Sequence, residues 1–559
     1  MNKILIGLLV LMGGTLPLSA QEKYWVFFTD KNESQALLPW EYLSPRALEN
    51  RARQGITPDW YDLPVADGYL AELRQRGIDP QRRTRWFNAV SAYLDEAQLS
   101  QVAALPFVRD VRPVGHYRSV AAEAEAQVQR TKALNGDDPF RETHVRQLDM
   151  IGLTHLHRQG LTGQDVLVAV FDNGYDAVDT LAGFRQLFDQ GRIIATRDFV
   201  DGDQDLFHRC AHCRHGTYVF SILAAVMPGQ LMGSAPGADY LLLRTENDAS
   251  ETSQEEDNWL AAAEFADSLG AQIFTTSLGY LTFDGGEGDY TQADLDGNTA
   301  LITRAGDRAA SRGILVVNSA GNNGGRGLNA PADGDSVIAI GSVNLDAEYS
   351  GFSSRGPTAD GRIKPDLTAM GQDNFYLHPN GSVRTGSGTS FSCPMVSGLA
   401  ACLMQAYPQA SAWEVFQAMR QTASQADSPD NILGYGLPDG RAAWQWLSER
   451  YAPQGRSPLE SDYRPELSFP VTWAFYPNPA QDWLYLDVPI GDQVGGFPEG
   501  IDLEWLDLTG RVIAREAARP VTRQMAIATP RSSGLYVLRL RSHSDGEVLH
   551  REKILVRRP

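Results

Sequence analysis

Short, wholly apolar runs alternate with longer stretches of helical periodicity from residue 144 to residue 447. Residues 166–171 (VLVAVF), 240–243, 273–276, 314–317 and 337–340 are apolar or nearly so along their whole length, and 257–269 and 300–312 between them read as helices. A strand apolar on both faces is buried on both faces, and strand–helix alternation predicts a parallel sheet with helices on either side. The pattern differs at the ends. Residues 21–118 mix strand candidates (23–28, 107–114) with helix candidates (97–105, and a start at Ser44-Pro45), a small α+β unit. Residues 469–559 carry short strands separated by turns (483–488, 501–506, 534–540), a small all-β sandwich. Two polar stretches, 119–143 and 448–468, read as linkers.

Composition narrows the partners. The 559 residues carry 69 acidic against 49 basic side chains, a net charge of -20, which argues against nucleic acid or an anionic membrane. Residues 1–20 read as an export signal: Lys3, an apolar run over 4–12, then Leu16-Pro17-Leu18-Ser19-Ala20 with cleavage after Ala20. The apolar run is shorter than the ~20 residues of a membrane span, and no later transmembrane segment is expected.

Three motifs carry the chemistry. The apolar run 166–171 ends on Asp172, His215-Gly216-Thr217 opens an apolar helix, and Gly388-Thr389-Ser390 opens another. A Ser hydroxyl needs a base to remove its proton, His supplies one near neutral pH, and a buried carboxylate holds the His tautomer and stabilises the imidazolium. In the order Asp, His, Ser the sequence resembles the subtilisin-like serine endopeptidases (subtilase family). The resemblance covers 144–447 and implies a subtilisin-like catalytic domain that needs no cofactor for its chemistry. It makes Asp172, His215 and Ser390 the triad. In Ala320-Gly321-Asn322-Asn323 it makes Asn322 the side-chain donor to the oxyanion, beside the Ser390 N–H, and leaves Asn323 a turn residue. It further assigns Ser277-Leu278-Gly279 and the stretch ending Arg244-Thr245 to the two walls of a cleft that binds an extended peptide. The unit 21–118 resembles the propeptide of such enzymes, a partner that assists folding and plugs the cleft. The region 469–559, with Phe475-Tyr476-Pro477-Asn478-Pro479 and Gly534-Leu535-Tyr536-Val537, resembles the C-terminal sorting domain of the Bacteroidota type IX secretion system. That implies secretion machinery as a second partner and passage through the periplasm to the cell surface or medium.

The remaining motifs leave alternatives open. In an exported protein Cys210 and Cys213 suit a local disulfide; with His208, His212 and His215 around them a zinc site has the residue types, and free thiols are the third option. Cys393 and Cys402 fall on one helix ~13 Å apart, too far to bridge. The acidic clusters 201–205 and 294–298 could hold structural calcium or be solvated turns. Two rival functions use the same scaffold: an inactive surface binding protein, and a processing peptidase or peptide macrocyclase.

Overall fold

The computed structural model describes residues 21–114 and 146–451 apart from 204, 209–212, 248–251, 285 and 287, together with 474–476, 483–487, 501–507, 511–519, 524–543 and 548–556. The expected signal segment 1–20, the linker 119–143 and the linker 448–468 beyond Tyr451 lie outside the described residues.

Strands β1 (Glu22–Phe28), β2 (Pro80–Thr84), β3 (Ala89–Leu94) and β4 (Val108–Pro113) form an antiparallel sheet in the order β2-β3-β1-β4. Three helices accompany it, Pro45–Arg53, Asp67–Gln75 and Glu96–Ala103. Two begin where a side chain satisfies a first-turn amide: Ser44 accepts from the Ala47 N–H at 3.0 Å and Asp95 from the Gln98 N–H at 2.8 Å.

The central sheet holds seven parallel strands. They are β5 (Leu167–Asp172), β6 (Ile193–Asp198), β9 (Asp239–Arg244), β10 (Ile273–Thr276), β11 (Leu315–Ser319), β12 (Val337–Val343) and β13 (Leu367–Met370). A two-residue pair, β7 (Val226–Met227) and β8 (Leu231–Met232), interrupts the count. The order β13-β12-β11-β10-β5-β9-β6 reverses direction of travel between β5 and β10, the crevice where open α/β sheets bind ligands.

Alternate residues of each strand feed opposite cores, which is why the strands read as continuous apolar runs. Val168, Val170, Leu315, Val317, Ile338 and Ile340 pack beneath the helices His215–Ala224 and Thr389–Ala406. Leu167, Ala169, Phe171, Val316, Val337 and Ala339 pack beneath Gln254–Leu269 and Leu301–Ser311. Trp25, Trp86 and Val114 of the N-terminal unit join this second core, so that unit docks on those two helices.

An antiparallel hairpin, β14 (Asn374–Leu377) and β15 (Val383–Gly386), leads into the Ser390 helix. C-terminal to the sheet domain, β16 (Ala474–Tyr476), β17 (Trp483–Asp487) and β20 (Gln524–Ala528) form one sheet. A second holds β18 (Ile501–Leu506), β19 (Val512–Arg519), β21 (Gly534–Ser542) and β22 (Val548–Val556). Leu484, Met525 and Ile527 of the first share a core with Leu503, Trp505, Leu538 and Ile554 of the second, a sandwich. No helix among the described residues is long and apolar enough to cross a membrane.

Candidate active site

Asp172 is the last residue of β5 and is fully buried. His215 opens its helix with Nδ1 2.8 Å from Asp172 Oδ1, and the Asn173 N–H donates to the same oxygen at 2.8 Å. With Nδ1 turned to the carboxylate, Nε2 is the nitrogen left for proton transfer. The close approach requires Gly216. A Cβ there would stand 2.3 Å from Gly174 O and 2.9 Å from Asp172 Cβ, pushing the helix off the strand end.

Ser390 is the second residue of the helix Thr389–Ala406. Its Oγ donates to Ser277 O at 3.3 Å, and the Ser277 Oγ donates to Ser390 O at 3.0 Å. The His215 ring centre is 6.5 Å from that of Phe391, the residue after Ser390. The Asn322 Oδ1 accepts from both the Thr389 N–H, at 2.9 Å, and the Thr389 Oγ1, at 3.0 Å. Those bonds assign the carbonyl end of the amide and leave Nδ2 as an outward donor. The Ser390 N–H, in the first helical turn, has no helical acceptor and is a second donor at the same helix start. Asn323 has φ −92°; the positive φ values of this turn belong to Gly321 and Gly324, not to an asparagine as its turn role suggested.

Ser277, Leu278 and Gly279 follow β10 and are braced from behind: the Asn318 amide donates to Leu278 O at 3.1 Å and the Asn329 amide to Gly279 O at 3.2 Å. The stretch ending Arg244-Thr245 needs correction as a cleft wall that adds a peptide strand: β9 is already paired on both edges, Arg244 with Asp172 of β5 and with Asp198 of β6. Arg244 is 6% exposed, and its guanidinium donates to Asn173 O at 2.9 Å and to Asp198 and Asp201 at 2.7 Å each. The Thr245 N–H donates to Asp172 O at 3.0 Å and its buried hydroxyl to Glu246 at 2.9 Å. A buried guanidinium must be paired, and these carboxylates and carbonyls leave it no part in gripping substrate. Both residues instead hold the turn that presents Asp172.

Cys213 is disulfide-bonded, and Cys393 and Cys402 carry free, buried thiols; Cys210 lies outside the described residues. Burial pushes the Cys393 thiol up to about 11, so it packs as an inert small side chain. His208 Nε2 sits 2.9 Å from Asp179, and among the described residues no group of three metal-ligating residues converges. In the cluster 294–298 the carboxylates serve their own turn: Asp294 accepts from the Thr291 N–H, and Asp296 from the Asn298 and Thr299 N–H groups, each at 2.8 Å; in 201–205, Asp201 pairs with Arg244.

The N-terminal unit meets the sheet domain through buried charge. Lys23 pairs with Asp257 at 2.6 Å, Arg51 with Asp267 at 2.8 Å, and Arg46 with Asp239 at 3.0 Å. In the reverse direction Arg312 pairs with Asp59 at 2.9 Å. Glu264 accepts from the Arg85 and Trp86 N–H groups at 2.8 and 3.0 Å. Sequence patterning misses this network, because Asp257, Glu264 and Asp267 look like the solvated face of an ordinary helix. It also misses Thr389, whose part shows only as a Thr before the Ser.

Three family profiles match the protein. The subtilase family profile matches residues 163–436, the Bacteroidota peptidase S8 propeptide domain matches 23–133, and the secretion system C-terminal sorting domain matches 474–557. Subtilisin E of Bacillus subtilis is 26% identical over 370 residues, 65% of this chain and 82% of that protein. Subtilisin-like protease SBT6.1 of Arabidopsis thaliana is 28% identical over 345 residues, which span 59% of this protein and only 30% of the plant protein. The crystal structure of MycP1 with its N-terminal propeptide removed aligns with 54% of this protein and 96% of its own length, at 23% identity and a TM-score of 0.43. Residues 163–436 are a subtilase-family serine endopeptidase domain, set between a Bacteroidota S8 propeptide domain and a secretion-system sorting domain.

Proposed function

We propose that the protein is an exported endopeptidase that hydrolyses peptide bonds of proteins through an acyl-enzyme on Ser390. The observation that carries this reading is the 2.8 Å contact between His215 Nδ1 and the buried Asp172. It leaves Nε2 as base on the helix packed against the one that Ser390 begins. On substrate binding the Ser390 Oγ turns from the Ser277 carbonyl to His215 Nε2, gives up its proton and attacks the scissile carbonyl. The oxyanion forms against the Asn322 amide and the Ser390 N–H, both in place beforehand. The imidazolium, stabilised by Asp172, then protonates the leaving amine, and water completes the cycle by the same route.

The propeptide domain makes the protein a zymogen, and the sorting domain sends the product through the periplasm to the outside, retained at the surface or released. The test is intact mass and N-terminal sequencing of wild type and Ser390→Ala. Wild type should lose its N-terminal domain and Ser390→Ala should keep it; normal processing of the mutant in a protease-deficient host would refute self-cleavage by Ser390. Export is tested separately. Removing residues 469–559 should hold active enzyme in the periplasm of a type IX-competent host, and normal secretion of the truncated protein would refute that role.

A further inference from the structure

Beside His215 lies a group of side chains that the proposed chemistry does not use. Arg214 precedes the catalytic histidine, and Tyr218 stands one helical turn after it, its N–H bonded to Arg214 O. The Tyr218 ring stacks on His378 at 5.7 Å and meets Tyr376 at 4.5 Å. Tyr376 in turn lies 5.5 Å from Phe391, whose ring is next to His215. In the hairpin, Tyr376 and Arg384 are direct cross-strand partners, so both side chains stand on one face. Arg384 is six residues before Ser390, half-buried, with its Nε donating to Ser382 Oγ at 3.1 Å.

Two arginines therefore flank one aromatic platform. Burial raises the Tyr218 hydroxyl pKa while Arg214 and Arg384 both work against that rise; burial lowers the His378 pKa, and Arg384 adds to the fall. Asp176 lies 3.5 Å from Arg214 and offsets part of its charge. Among the described residues Arg384 bonds to the Ser382 hydroxyl and to no carboxylate.

The chemistry says which part of a substrate comes here. His215 must deliver its proton to the leaving amine, so the substrate residues that follow the cut bond lie against the His215 helix. The acyl part lies with Asn322 and the 277–279 segment. We propose that Arg384 and Arg214, on the Tyr218–Tyr376–His378 platform, form a subsite that takes an acidic side chain just after the cleaved bond. This rests on the endopeptidase reading above.

Matched fluorogenic peptides, identical up to the cut bond and carrying Glu, Ala or Lys at the first or second position after it, test the subsite on enzyme purified from the full-length protein. Glu should exceed Lys in kcat/KM by about fivefold, as a partly exposed ion pair allows, and the ratio should shrink in high salt. Arg384→Gln should flatten the order and Arg384→Glu should invert it, with the Ala peptide reporting that each variant is folded. An active enzyme with no Glu preference, or an order unchanged in Arg384→Glu, overturns the subsite alone. Failure to cleave any of the peptides overturns it together with the endopeptidase reading.

Discussion

Ser277 and Ser390, 113 residues apart, exchange hydrogen bonds in both directions, hydroxyl to carbonyl each way. The exchange depends on Pro394. In an unbroken helix the N–H four residues on would take the Ser390 carbonyl; Pro394 sits at that position inside the helix and has no N–H. The freed carbonyl accepts from Ser277, which ties the start of the Ser390 helix to the end of β10. The Ser390 hydroxyl is held beside the 277–279 segment. Ser277→Ala keeps the backbone and removes one bond worth about 0.5–1.5 kcal/mol. It should lower kcat several-fold and slow phosphonate labelling of Ser390. Labelling at the wild-type rate would mean that the Ser277 hydroxyl does not position the nucleophile.

Asn322→Leu should lower kcat by about 10²–10³-fold with little change in KM. That is the cost of one oxyanion donor, a magnitude carried over from the relative subtilisin. The amide acts on charge that exists only in the transition state. Thr389→Val, which leaves the Asn322 carbonyl one partner short, should give a smaller loss of the same kind. A change confined to KM in steady-state kinetics would count against both assignments.

Asp267 is the carboxylate on which two propeptide arginines, Arg51 and Arg85, converge in a buried interface. Removing one member of a buried pair leaves the others unpaired, at a cost of about 3–5 kcal/mol. Asp267→Ala should therefore let the cleaved propeptide separate from the enzyme on size-exclusion chromatography where wild type holds it. Arg51→Ala should do the same, and the double mutant should cost less than the sum of the two. Strict additivity would show that the residues do not act through each other.

Asp307 bears on stability and not on catalysis. Burial pushes its carboxyl up to about 6, although the Ser336 N–H donates to it at 2.7 Å. A carboxyl raised in the folded state holds its proton there after the unfolded protein has lost it. Its contribution to stability is thus full below the unfolded value, near 4, and falls as pH rises to about 6. Asp307→Asn keeps an acceptor for the Ser336 N–H and cannot ionise. The Tm of the variant relative to wild type should rise between those two pH values and level off above. A Tm difference independent of pH would refute the raised carboxyl.

Local pattern alone settles the division into three folded units, the parallel sheet and the order of the catalytic motifs. A strand buried on both faces has to be apolar throughout, a helix start needs its cap, and a triad residue needs a special neighbour such as Gly216. Each of these leaves its mark within a few residues. What the sequence does not disclose is every relationship whose two halves are far apart. Arg244 reads as a cleft residue until Asp198 and Asp201, from the end of another strand, are seen to claim it. Asn322 reads as an oxyanion donor by resemblance, but only Thr389, 67 residues on, fixes which end of its amide is the acceptor. The acidic face of Gln254–Leu269 reads as solvated until propeptide cations cover it. Hydrogen bonds and ion pairs reach only about 3 Å and depend on direction, so tertiary packing alone decides which polar groups meet. Hydrophobic burial has no such direction and is written into the sequence as a simple period.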